Sequence, residues 1–339
     1  MTNKIYEKII KFIKENYLWF LFYIVFIAVM LYPLPYYIYT GGGIINIDDK
    51  IIMEKTTDSE GSYHMCYVSE INATLPTYLL SYVIPNWDLV AKEEVVLNDK
   101  EDIDDVIKRD KIYLTDANQS AVLTAFNTAN KPIKIVNTNF YILYIEEDSI
   151  TDLKIGDQIL KIDNQRITKF EDIATILSDK ETGTKIMITI LENNKEVNRY
   201  AVVKNTEQGK KIGIALSTIY EYETNPGVNF NFKSNESGPS GGLMLSLALY
   251  DKLVDEDITK GYKIAGTGTI DKNGNVGEIG GVKYKLKGAV NAKSDIFMVP
   301  NGENYEECIK LKAKYNYDIE IIGVSTFKEA ITELEKFNK

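Results

Sequence analysis

Ser240 stands in the run Ser237-Gly238-Pro239-Ser240-Gly241-Gly242, and Lys283 follows a second glycine pair, Gly280-Gly281. A hydroxyl attacks a carbonyl only if a base removes its proton, and the usual base is imidazole. This chain of 339 residues contains one histidine, His64, so a lysine that has lost its charge by desolvation is the alternative. Both residues lie where helices are expected to start, and N–H groups at a helix start can hold an oxyanion. Gly238, Gly241 and Gly242 let the backbone approach a substrate carbonyl, while Thr267 and Thr269 offer hydroxyls on a strand just before the lysine turn.

Each residue also has an ordinary reading. A serine before a helix is commonly a cap, and a lysine is commonly a solvated charge. The apolar, glycine-rich run Val276 to Val282 favours desolvation at Lys283. Lys285 and Lys287 are rival bases: on a helix Lys283 and Lys287 share a face and Lys285 points elsewhere. The glycine pair favours Lys283, at the first turn.

Composition narrows the class. A hydrophobic share of 45% and a charged share of 26% describe a folded chain of about two domains. The net charge of −10 excludes a sequence-independent grip on nucleic acid. There is no phosphate-binding G-x-x-x-x-G-K-[ST] run, no cysteine and histidine spacing suited to zinc, and no cofactor is expected. Cys66 and Cys308 are too few and too far apart in sequence to define a disulfide framework.

The elements that must position the serine and lysine begin after an apolar segment. Tyr17 to Leu34 is an 18-residue run without a charge, preceded by Lys4, Lys8, Lys11 and Lys14. It predicts a 1–16 cytoplasmic tail and a single transmembrane helix over 17–39, uncleaved, with the remainder extracytoplasmic and a lipid bilayer as partner. Strands are expected over Ile44 to Glu54 and Ser62 to Ile71, and helices over Leu75 to Ile84, Asp102 to Leu114 and Asn118 to Ala129. This 44–130 segment is expected to join the sheet of the C-terminal domain.

From 134 to 205 the texture is β-rich, with strands at Ile135-Val136 and Phe140 to Ile145 and turns at Asp163-Asn164 and Asn193-Asn194. The run L-x-x-G-D-x-I-x-x-I-D over Leu153 to Asp163, followed by a helix at Phe170 to Leu177 and a hairpin, resembles a PDZ domain. That resemblance implies a peptide groove between Phe140 to Ile145 and the Phe170 to Leu177 helix. The glycine-containing loop usual before such a strand is replaced by Asn137-Thr138-Asn139. From 206 to 339 strands and helices alternate, as in an α/β (α+β) domain.

Gly238-Pro239-Ser240-Gly241-Gly242, Gly266-Thr267-Gly268-Thr269-Ile270, Gly274-Asn275-Val276 and Ile279-Gly280-Gly281-Val282-Lys283-Tyr284-Lys285 together resemble the proteolytic domain of the Lon family of Ser–Lys peptidases. With the apolar segment and the PDZ-like region, the whole chain is similar to bacterial membrane-bound Lon-like proteases that lack an ATPase. The resemblance implies Ser240 as nucleophile, Lys283 as general base, and Thr267 as the hydroxyl that holds the lysine neutral, with Gly238 and Gly241 beside the oxyanion. Many members carry an acid three residues before the nucleophile; here Ser237 stands there, with Glu236 one step earlier. The implied activity is ATP-independent cleavage of extracytoplasmic peptides or flexible protein segments at the bacterial plasma membrane. Because Lon domains often form hexameric rings, a homo-oligomer is implied too. An inactive membrane-tethered PDZ adaptor is the alternative.

Overall fold

The computed structural model of the chain describes residues 2–53 and 59–337. Glu54, the expected end of the first strand, lies outside them, as do residues 1, 338 and 339 of the expected terminal segments. The chain divides into two compact units, one built from 2–41 and 69–95, the other from 42–68 and 96–337.

The first unit opens with helices α1 (Thr2–Glu15) and α2 (Tyr17–Leu31). Every residue of α2 is apolar or aromatic and none is buried. The helix stops at Leu31 because Pro33 and Pro35 cannot continue the ladder, and strand β1 (Pro33–Asn46) begins there. The expected helix over 17–39 is therefore too long. A 15-residue helix rises about 22 Å, short of a hydrocarbon core about 30 Å thick. Among the described residues no single helix is long and apolar enough to cross a membrane; residues 6–31, as a pair of helices bent by 73°, meet the test only together. The unit also contains the outer halves of β1 and β3 (Ser62–Thr74), α3 (Leu75–Ser81) and β4 (Asp88–Ala91), which pairs antiparallel with β1.

In the second unit the expected strand Ile44 to Glu54 is split. The chain turns after β1, and β2 (Ile51–Met53) pairs with β13 (Val228–Phe230) far along the sequence. The two helices expected between 102 and 129 are one, α4 (Ile103–Thr128), capped by the Asp102 side chain accepting from Asp105 N–H. Strand β5 (Ile133–Ile145) then opens an antiparallel sheet with β6 (Gln158–Ile162), β7 (Gln165–Arg166), β8 (Lys185–Glu192) and β9 (Lys195–Val202), with α5 (Phe170–Ser178) after β7. The hairpin residues Asp163, Asn164, Asn193 and Asn194 all have positive φ, the requirement of tight two-residue turns.

After the short pair β10 (Lys204–Thr206) and β11 (Gly209–Lys211), β12 (Ile214–Thr224) runs antiparallel to β5 along its length, from Ile214 opposite Ile145 to Thr224 opposite Ile133. Residues 214–224 thus belong to the β5 sheet, and the boundary expected at 205/206 falls inside β10. Phe140, Ile142, Ile162, Ile188 and Ile190 form the core of this sheet.

The rest of the chain returns to the first strands. Helix α6 (Gly242–Leu253) is followed by β14 (Lys263–Gly266), the hairpin β15 (Thr269–Ile270) and β16 (Val276–Gly277), and α7 (Val282–Asn291). Strand β17 (Ile296–Pro300), α8 (Glu303–Tyr315), β18 (Glu320–Val324) and α9 (Phe327–Glu335) complete it. The sheet runs β18, β17, β14, β3, β1, with β3, β14, β17 and β18 parallel. All five residues of β17 are buried, the apolar run of a strand covered on both faces. Alternate residues serve opposite faces: Met65 and Ile264 join the core that contains α6, whereas Cys66 and Ala265 join the core that contains α7.

Candidate active site

Ser240 is half-buried on the turn before α6. Its carbonyl accepts two bonds from the strand that follows β14: Thr267 Oγ1 at 3.0 Å and Gly268 N–H at 2.8 Å. Gly268 carbonyl in turn accepts from Leu243 N–H at 3.0 Å. The Ser240 backbone is therefore held on both sides, as a positioned hydroxyl requires.

The loop leading to Ser240 is held from two other directions. Gly238 N–H donates to the Asp110 carbonyl on α4 at 3.1 Å. Glu236 accepts from Lys50 Nζ at 2.7 and 2.8 Å, and the lysine side chain is only 6% exposed. Lys50 and backbone bonds hold the Glu236 carboxyl below its ordinary range against the opposing effect of burial. Glu236 therefore anchors the loop. Gly238 needs its φ of +91° rather than space, since a Cβ there would meet nothing within 4 Å. Its N–H is committed to Asp110, so the expectation that it faces an oxyanion does not hold. Among the described residues, the N–H groups of Ser240 and Gly241 have no acceptor within the chain.

The lysine is where the structure departs most from the sequence reading. On α7 the positions Val282, Lys285, Leu286 and Ala289 form the buried face, and Lys283 falls on the exposed side, its Nζ 4.8 Å from the Tyr284 ring centre. Lys283 lacks the desolvation a neutral base needs. Lys285 has it: the residue is 4% exposed, and burial brings its ammonium down to about 8. Among the described residues no carboxylate pairs with it, and the group facing it is the Cys66 thiol, which burial pushes up to about 12 and so keeps neutral.

Strand β3 connects the two helix starts. Met65 packs on Gly241, where a Cβ would come within 3.2 Å of its sulfur. Cys66 faces Lys285. Val68 packs on Gly281, which caps α7 in the left-handed conformation and has 3.0 Å between its would-be Cβ and the valine methyl. Three residues of one strand, Met65, Cys66 and Val68, thus lie at the start of α6 and the start of α7. Thr267 is fully buried, and its hydroxyl donates to Ser240, not to a lysine; its lone pairs remain as acceptors.

His64 contributes elsewhere. Its Nε2 is 2.9 Å from Ser62 Oγ on the same strand face, and burial lowers its pKa. Neither residue is at a helix start that would supply oxyanion donors. Both cysteines are free and buried, and among the described residues no three of histidine, cysteine, aspartate and glutamate are grouped to hold a metal.

Residues 233–335 match the Lon protease (S16) C-terminal proteolytic domain, and so take in Ser240, Thr267 and Lys285. The chain is 34% identical over 97 residues to a Lon protease of Campylobacter jejuni, covering 28% of this chain and 12% of that protein. It is 22% identical over 205 residues to a Lon protease of Mesomycoplasma hyopneumoniae, covering 55% and 23%. The chain therefore spans under a quarter of the length of these relatives. Among solved structures it is similar to the PDZ domain of an SdrC-like protein from Listeria innocua, with 24% identity, a TM-score of 0.21, and coverage of 23% of this chain and 92% of that one.

Proposed function

We propose that the chain is a serine endopeptidase in which Ser240 is the nucleophile and Lys285 the general base. The observation that carries this is the convergence of Gly241 and Lys285 on Met65-Cys66 of β3, with Lys285 buried away from any carboxylate. Neutral Lys285 takes the Ser240 proton as the hydroxyl oxygen attacks the peptide carbonyl. The N–H groups of Ser240 and Gly241 receive the oxyanion, the lysine returns its proton to the leaving amine, and water then releases the acyl group. Thr267 fixes the nucleophile through its carbonyl and offers lone pairs to the lysine. In this reading the steps use no nucleotide.

The reading includes attachment of the apolar segment α1–α2 to the bacterial plasma membrane, with the lysine-rich N-terminus cytoplasmic and the catalytic residues outside, acting on peptides or flexible segments. A fluorophosphonate that cannot cross membranes tests activity and sidedness together. Intact cells should take the label on Ser240, and Lys285→Ala should abolish it. An inactive adaptor would take none in lysed cells either, and labelling only after lysis would place the site inside.

Peptide docking on the β5 sheet requires a different edge from the one the sequence suggested. Phe140 to Ile145 is flanked by β12 along its length, and β6 with the turn before it occupies the other side over Phe140 to Ile142, so a strand cannot be added along the whole segment. The outer edge of β12 has no strand partner among the described residues. It is entered through Gly213, at φ +68°, and Ile214 and Leu216 pack with Ile173 of α5 in one core. A peptide adding as a strand is expected to slow amide exchange at Ile214 to Ser217; slowing at Tyr141 to Tyr144 instead would refute this placement.

A further inference from the structure

A cavity of about 360 Å³ lies beside the nucleophile. Pro239, the residue before Ser240, forms one wall, so a substrate side chain next to the scissile bond reaches it. Ala117, Ile270 and Val276 supply further apolar walls and Tyr113 an aromatic one, surfaces suited to a methylene chain. Among the polar groups on its wall, the carboxylate of Asp116, on α4, is the acid that remains available.

This carboxylate is fixed and lacks a counter-ion. Its Oδ1 accepts from Gln119 Nε2 at 2.6 Å. Gln119 is itself buried and cannot swing away, because Nε2 also donates to Thr218 carbonyl at 2.7 Å and Oε1 accepts from Tyr220 N–H at 2.5 Å. No lysine or arginine lines the cavity. The other acid on its wall, Asp271, is consumed by its own turn: it accepts Asn273 N–H at 2.9 Å and Asn275 N–H and Nδ2 at 2.8 Å. Burial raises the Asp116 carboxyl against the lowering effect of Gln119, the condition of a charge that a bound cation would relieve.

We propose that this cavity receives a lysine or arginine side chain of the substrate adjacent to the cleaved bond, with Asp116 as its counter-ion. Apolar walls sheath the stem, and the cation meets Asp116, the acid of the cavity wall that is not tied into a turn and that pairs with no lysine or arginine among the described residues. Asp116 thus acts in specificity and takes no part in the bond-making steps. The inference rests on Ser240 being the nucleophile.

The test uses the full chain in detergent. Cleavage sites in an unfolded protein are mapped by mass spectrometry, and peptides differing only by lysine, norleucine or glutamate at the enriched position are then compared. Lysine or arginine should be enriched at one fixed position flanking the cut. The kcat/KM ratio of lysine to norleucine peptides should be about 10 to 100, the range of a hydrogen bond to a charged group. In Asp116→Asn that ratio should fall to near one. Cleavage by the wild-type chain without basic enrichment, a reading that needs no variant, overturns this inference alone, as does an Asp116→Asn variant that keeps the ratio. A chain that neither cleaves nor takes the phosphonate overturns the peptidase reading and this inference with it.

Discussion

Lys285→Ala should lower kcat/KM on an unfolded substrate by about 10³-fold or more, while Lys283→Ala should stay within about threefold of the wild type. The two residues are separated by one position on α7, and the helix puts one inside and the other outside. Burial brings Lys285 towards neutrality, whereas Lys283 lies on the exposed side of the helix. Lys285 accepts a proton only when it has lost its own, which on its folded value of about 8 occurs as the pH rises through 8. The rate should therefore climb from pH 7 to 9 along a single titration with its midpoint near 8. Steady-state kinetics on both variants across that range decide the matter. Loss of activity in Lys283→Ala with Lys285→Ala unaffected would return the base to the position the glycine pair suggested.

Lys285→Met is expected to be inactive and more stable. Methionine has a similar length and leaves no buried ammonium, so the desolvation penalty disappears while the site stays filled. For a basic group whose folded pKa is lowered, the sign runs opposite to that of a salt-bridged lysine. Below about pH 8 both folded and unfolded chains hold the proton, and the folded chain bears the whole penalty. Between about 8 and 10.5 the unfolded chain keeps a proton that the folded chain has released, so stability rises with pH. Above that window both are neutral and the penalty is gone. The displacement from 10.5 to about 8 corresponds to about 3 kcal/mol, so Lys285→Met should gain about 2–3 kcal/mol at pH 7. The gain should shrink towards zero by pH 10.5. Denaturant unfolding of both proteins at pH 7 and 10 measures this; a variant less stable than wild type at pH 7 would show that the ammonium is well solvated. Such a residue illustrates function held at the expense of stability.

The turn before α6 was legible because glycines and proline around Ser240 mark a place that must bring backbone close to something else. The same signal misled at the lysine. Glycines report where a helix begins but not which way it is rotated, and the rotation of α7 follows from Val282, Leu286 and Ala289 packing on Phe297 and Val299. The apolar positions 282, 286 and 289 were visible in the sequence at helical spacing, and reading their phase would have put Lys285 on the inner face. Pairing across long separations was the least legible. Nothing local in Ser62 to Thr74 indicates that it joins β14 some 200 residues later, with His64 opposite Ala265. Strand β5 likewise gave its type but not its partner, since β12 lies beyond six intervening strands. The apolar stretch after Tyr17 was read at its full uncharged length, and the prolines at 33 and 35 cut it to a shorter helix.

The two strands that carry the chain into and out of the β5 sheet are neighbours at their roots. Ile133 lies opposite Thr224, and Asn225 N–H donates to Pro132 carbonyl at 3.2 Å. Ile133 and Tyr222 pack into the core shared by α4 and α6, so this root belongs to the fold that holds Ser240 while the distal sheet has its own core. In the history of such a chain the sheet is a graft on a hairpin: it could be gained, lost or exchanged at that stem while Met65, Ser240 and Lys285 kept their places. Its ties through Gln119 to Thr218 and Tyr220, and through Asn98 to the Ile145 carbonyl and Lys100 to the Ser149 carbonyl, would have to be remade with each exchange.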